Sequence, residues 1–203
     1  MSDAVVIAHD VSCASTQSAS TLTVNSGKTL TLTKDGALTV AGAVSNSGTI
    51  VVVGAENESG SLIATSASAF TLSFDLYIPQ NQWKLVGIPV SGEVVGDIDD
   101  NLATNTVGGV NKIGLGYWNT SSSSWTVLAA SATGDGLTQT RGYEMLHSSG
   151  DVVRFTGNLR TSNRSTVFTL SSRWTLLGNP YPSYLRLTDD ATGASGSNYF
   201  LNT

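Results

Sequence analysis

Between residues 20 and 65 apolar and hydroxyl side chains alternate with a period of two, and glycine interrupts the alternation at short intervals. The segments read "STLTVNSG" to Gly27, "KTLTLTKDG" to Gly36, "ALTVAGAVSNSG" to Gly48 and "TIVVVGAENESG" to Gly60, followed by "SLIAT". The steps between these glycines are 9, 12 and 12 residues. Pairs such as Leu22 with Val24 and Leu30 with Leu32 put apolar groups on one face and Thr on the other, the pattern of a half-buried strand. Two architectures fit such a ladder. In a β-solenoid each glycine-closed unit is a rung, stacked about 4.8 Å above the last; in a meander each unit is a hairpin arm. The spacing of eight between Leu22, Leu30 and Leu38 favours stacked rungs, with one apolar position recurring at the same place in each coil. The glycines are expected to supply the positive φ that tight corners need.

From residues 64–70, "ATSASAF", the texture changes and aromatic residues enter, including all four tryptophans. Strands are predicted at 70–78, 82–88, 112–118, 124–129, 151–156, 166–170 and 173–178, a pattern that suits a β-sandwich. One feature repeats: "QWKLVGIPV" (82–90) and "RWTLLGNPYP" (173–182) share W-x-L-[VL]-G-x-P. Each copy reads as a strand that buries its tryptophan, Trp83 or Trp174. The glycine marks a turn or close approach, and the proline ends the pairing. The two copies are expected to be core neighbours or to close equivalent edges. The resulting expectation is an all-β chain. A short β-solenoid or ladder (1–65) leads into a β-sandwich (66–190), and a tail (191–203) reads as cut from a longer protein.

Composition narrows the function classes. Charged residues make up 12% of the chain, against about 25% in an average soluble domain. The polar surface must therefore be built from Ser, Thr, Asn and Gly. The formal net charge is -5, and ten thinly spread basic residues give no patch for displacing counterions from nucleic acid or for binding an anionic membrane surface. No apolar run approaches the roughly 18 residues of a membrane span. The start, "MSDAVVIAHDVS", lacks the basic and apolar regions of a signal peptide. The single cysteine, Cys13, can form neither an internal disulfide nor a zinc site alone, and is expected to be buried and inert.

The strings "STLTVNSGKTLTLTKDGALTVAGAVSNSGTIVVV", "WKLVGIPVSG" and "WTLLGNPYPSYL" carry a resemblance. The first looks like the Val/Thr ladder of large secreted Bacteroidetes proteins. The others are similar to the module that commonly follows it, often ahead of a type IX secretion sorting domain. The resemblance spans roughly residues 3–190, with "WTLLGNPYPS" its most specific part. It implies secretion, cell-surface attachment and an adhesin-like or modular role. It supplies no catalytic residues and no cofactor.

Candidate chemistry is sparse. "GDIDDN" places Asp97, Asp99, Asp100 and Asn101 at the spacing of half a calcium loop, but Leu102 and Gly108 stand where such a loop needs Gly and Glu. A solvated acidic turn or the capped start of a short helix fits better. Glu93, Asp135, Glu144 and Asp151 could serve a glycan-cleaving pair, yet nothing in the sequence pairs them. His147, in "MLHSSGD", reads as a structural or exposed residue at a strand end, and so does His9. The best binding candidate is "YWNTSSSSW". Tyr117, Trp118 and Trp125 could stack on the apolar faces of sugars, with Tyr117 and Trp118 on opposite faces of a strand. The leading expectation is a non-catalytic structural or adhesive module, extracellular or on the cell surface, with glycans or other surface proteins as partners. The alternatives are a carbohydrate-binding module of a secreted polysaccharide-degrading enzyme and a phage fibre or spike.

Overall fold

A computed structural model describes residues 3–65, 69–98, 101–161 and 174–184. The chain is all-β: a parallel β-solenoid of about three turns continues into antiparallel sheet. The first turn consists of β1 (Ala4–Ile7), β2 (Val11–Cys13) and β3 (Thr16–Ala19). The second consists of β4 (Thr21–Val24), β5 (Thr29–Leu32) and β6 (Ala37–Val40), and the third of β7 (Val44–Asn46), β8 (Thr49–Val52) and β9 (Ser61–Ala64). Strands stack in parallel on three walls, β1-β4-β7, β2-β5-β8 and β3-β6-β9.

The register corrects the expected rung. Val5 lies beside Leu22 and Leu38 beside Leu62, so a turn takes 17 to 24 residues. The units ending at Gly27, Gly36 and Gly60 each carry one wall, and the unit ending at Gly48 carries two, β6 and β7. A strand of four residues with its corner is too short to enclose a core, and three are needed to close the coil. Leu22, Leu30 and Leu38 therefore occupy three walls of the same turn, all buried in one interior. The role of the glycines is corrected in the same way. Gly27 does sit at φ +70, but Gly36, Gly48 and Gly60 do not take positive φ. A β-carbon on Gly36 would collide with the Cys13 carbonyl of the turn below, and Gly48 and Gly60 are confined likewise by Lys28 and Thr33. Close stacking of corners demands glycine there.

The inward positions form columns. Val11, Leu30 and Ile50 are in register, as are Cys13, Leu32 and Val52. In the first turn the column of Leu38 and Leu62 begins with Gln17, which is exposed. Cys13 is only half-buried, its thiol donating to the Ser15 carbonyl at 3.2 Å. The expectation of a buried cysteine fails because the first turn covers its interior on one side only.

β10 (Thr71–Ile78) joins the β8 edge in parallel through Ser73 and Phe74, then pairs antiparallel along its whole length with β16 (Asp151–Asn158). One five-stranded sheet thus crosses the stretch 64–70, of which 66–68 lie outside the described residues. A second sheet has the order β11 (Lys84–Val86), β15 (Tyr143–Met145), β13 (Val110–Asn119) and β12 (Thr104–Val107), with β14 (Ser124–Ala129) on the other side of β13. Buried side chains of both sheets and of the solenoid belong to a single cluster, including Leu32, Phe74, Phe155, Leu115 and Met145. The strands predicted at 70–78, 82–88, 112–118, 124–129 and 151–156 are present within a few residues. The strand predicted at 166–170 and the tail 191–203 lie outside the described residues. Residues 174–178 form no strand, only a bridge from Leu177 to Arg141.

Three contacts clamp the two parts together. Lys84 Nζ donates to the carbonyls of Tyr77 at 2.9 Å and of Glu56, in the corner of the third turn, at 3.2 Å. Pro182 accepts from the Leu62 backbone N–H on β9 at 2.8 Å. Tyr184 Oη bonds both backbone groups of Ser59 at 3.2 Å.

Leu32 has no exposed surface. Leu32→Ala should destabilise the chain by about 2–5 kcal/mol. Thr39→Ala, at an exposed outward position of the same turn, should cost no more than about 0.5 kcal/mol. Urea denaturation of both variants checks the assignment of inward and outward faces.

Candidate functional site

The long strand β13 organises the candidate site because it is paired on both sides. Residues Leu115 to Tyr117 face β15, and Gly116 to Asn119 face β14. Alternation sends Ile113 and Leu115 into the core and leaves Lys112, Gly114 and Gly116 on the opposite face. Trp118 lies directly opposite Trp125 across the β13–β14 ladder. Their ring centroids are 5.7 Å apart at 78°, an edge-to-face pair. Tyr117 is half-buried against the core, and the Arg141 guanidinium stands 4.4 Å from its ring centroid. The Trp118 indole N–H donates to the Trp174 carbonyl at 3.2 Å.

The three predicted residues therefore separate. Tyr117 and Trp118 line one cleft of about 430 Å³ together with Arg141 and Leu176. Trp125, 41% exposed, lines another of about 780 Å³, where the second aromatic residue is Trp83. Sequence reasoning placed Trp83 and Trp174 inside, and the structure corrects both: they are 47% and 76% exposed. The short strand β11 begins after Trp83, and its inward residue is Val86. In the repeated motif the prolines, Pro89 and Pro180, are buried, and the glycines are half-buried but closely packed. Gly87 and Gly178 touch each other, and a β-carbon on Gly87 would collide with the backbone of Asn179. The expectation of close approach between the two copies holds at these glycines.

The polar candidates occupy separate places. His147 is buried, with Nδ1 accepting from the backbone N–H of Gly150 at 3.0 Å and of Ser149 at 3.2 Å. It holds the turn into β16. His9 is exposed just past β1. Asp97 ends a 3-10 turn (Val95–Asp97), and its carboxylate accepts from the Val94 N–H at 3.0 Å, as in the capped short helix expected there. Asp99 and Asp100 lie outside the described residues. Asp151 accepts from the adjacent Val152 N–H. No group of three or more His, Cys, Asp or Glu side chains arranged to hold a metal ion occurs among the described residues.

Two acidic groups are buried among the described residues. Asp75 lies opposite Arg154 in the β10–β16 ladder and receives a bidentate pair of bonds at 2.6 and 2.8 Å. Glu93 follows Gly92, whose φ is +99, and turns its side chain inward. One carboxylate oxygen accepts from the Thr156 N–H at the edge of β16; the other is buried without a hydrogen-bond partner among the described residues. Burial pushes the Glu93 carboxyl up to about 7, opposed by the Thr156 bond and aided by repulsion from Asp97. Glu144, on β15, is also raised by burial.

No family model, no curated protein and no solved structure matches this chain.

The raised Glu93 carboxyl fixes a pH dependence. The unfolded chain ionises Glu93 near its ordinary value of 4.5, whereas the folded chain holds the proton up to about 7. The folded state binds more protons in that window, so this group's contribution makes stability fall as pH rises from about 4.5 to about 7 and then level off. Glu93→Gln keeps an oxygen for Thr156 and removes the titration. It should flatten this slope and stabilise the chain at pH 8 by about 1 kcal/mol, the amount left after solvent screening. Thermal denaturation of both proteins from pH 4 to 8 measures it.

Proposed function

We propose that this chain is a non-catalytic structural or adhesive module of a bacterial secreted or cell-surface protein. The observation that carries the reading is where the most specific motif goes. In "WTLLGNPYPS" Gly178 packs on Gly87, Asn179 bonds the Tyr181 N–H and the Ser183 carbonyl, and Pro182 takes the Leu62 N–H. Gly178 holds the motif against the segment after β11, Asn179 shapes its turn, and Pro182 fastens it to the solenoid. A module whose distinctive residues hold its shape suits a spacer or display role.

The composition supports the same compartment. Solubility rests on outward Thr and Ser, and backbone groups are satisfied within the stacked strands. Such a surface depends little on ionic strength. The resemblance to type IX secreted Bacteroidetes proteins adds export and attachment to the cell surface. A second reading, a carbohydrate-binding module, is favoured by the exposed Trp83 and Trp125 sharing one cleft.

Protease shaving of intact source cells tests the proposal. The expected result is release of peptides from this chain, or its recovery from the medium, while a cytoplasmic marker stays protected. Recovery only in the cytoplasmic fraction would overturn it.

A further inference from the structure

We propose that the cleft between Trp83 and Trp125 is a binding site for an extended, neutral polysaccharide chain, laid across the outer face of the β11-β15-β13-β14 sheet. The inference deepens the binding side of the surface-module reading and rests on it only for the presence of glycan where the protein acts.

The cleft is built by the sheet itself. Trp83 stands just before β11 and Trp125 on β14, and residues of β12 and β13, with Leu146, line the cleft between them. Gly114 lies in the floor, where a β-carbon would collide with the Leu146 carbonyl of the neighbouring segment. Packing of the strands thus forbids a side chain there, and the floor stays low between two indoles. Trp125 is held in place from behind. It meets Trp118 edge to face, and the Trp118 indole N–H is tied to Trp174. An exposed tryptophan braced in one orientation is a preformed stacking surface.

The occupant follows from three properties. The cleft is concave, so a second copy docked by a twofold axis would face concavity with concavity and leave a void over Gly114. The sheet presents its face here and its N–H and C=O groups are turned sideways into the ladders. An extended peptide laid on it would lose hydration of its own backbone without replacement bonds. A sugar chain has no such penalty: its C–H faces stack on indole, and its hydroxyls reach sideways to Asn105, Thr104 and Thr126 in the rim. Lys112 is the only ionisable side chain lining the cleft among the described residues, and its ammonium is already donated to the Val127 carbonyl at 3.0 Å. One ammonium does not match the repeating charge of a polyanionic glycan, so the site fits a neutral one.

The test is affinity electrophoresis of the full chain in gels containing neutral β-glucan, xyloglucan or galactomannan, with alginate as the acidic control. Retardation by at least one neutral polymer is expected. Trp83→Ala and Trp125→Ala should each weaken it about tenfold or more, a loss typical of an aromatic anchor. Ile63→Ala, at an exposed position on the solenoid strand β9 outside this cleft, should leave it unchanged, and circular dichroism of each variant should match the parent. Four results would overturn the proposal: no retardation by any neutral polymer, retardation by alginate alone, retardation indifferent to both tryptophans, or a dimer in sedimentation that Trp125→Ala dissociates. Retardation that depends on both tryptophans in a protein confined to the cytoplasm would sink the surface reading and leave the site standing.

Discussion

One row of side chains runs through the molecule from end to end. Cys13, Leu32, Val52, Phe74 and Phe155 are successive register partners across β2, β5, β8, β10 and β16. In-register stacking at about 4.8 Å leaves each inward side chain little freedom except to lie on its neighbour. The row therefore dictates that walls stay parallel within the solenoid and that β10 enters in the same register. It also gives the antiparallel strands a ready-made apolar surface. Everything beyond residue 70 is built on a sheet that the Thr/Val ladder has already started.

The site depends on that continuity at one remove. The second sheet buries Ile113, Leu115, Tyr143 and Met145 in the shared cluster, and its other face has no covering sheet among the described residues. A face so placed collects side chains that the core has no room for, Trp83 and Trp125 among them. Meanwhile the 174–184 segment and Lys84 hold the two sheets to the solenoid with backbone carbonyls as acceptors. Ion pairs contribute little, since the charged inventory is small. The buried exception, Asp75 with Arg154, is bidentate and sits in the ladder that joins the two parts.

Much of the fold was legible. The period-two alternation and its glycine punctuation gave strands, and the eightfold leucine spacing gave a coil. The number of walls per turn was not legible, because a spacing of eight is equally the repeat of a rung or of a side. The first turn lay within the expected ladder (1–65), but its strands carried no Leu/Val repeat, because Cys13 and Gln17 stand where later turns have Leu or Val. Of the site, Trp125 and its partner Trp118 could be read from the motif. Trp83 could not, because a tryptophan beside Leu-Val-Gly looks like core, and only the brevity of β11 puts it outside. Glu93 carried no sequence signal at all; its burial is a product of the turn at Gly92 and the edge of β16.

The corner between the second and third walls widens as the coil climbs. It takes residues 14–15 in the first turn, 33–36 in the second and 53–60 in the third. The solenoid carries the extra residues of its third turn as a small hairpin, closed at its neck by the Gly60 N–H bond to the Val53 carbonyl and by the Gly54–Ser59 bridge. Its broadest corner is also the one fastened to Lys84 and Tyr184. On the second wall the outer edge of β8 is taken by β10, so a further like turn would meet an edge already paired.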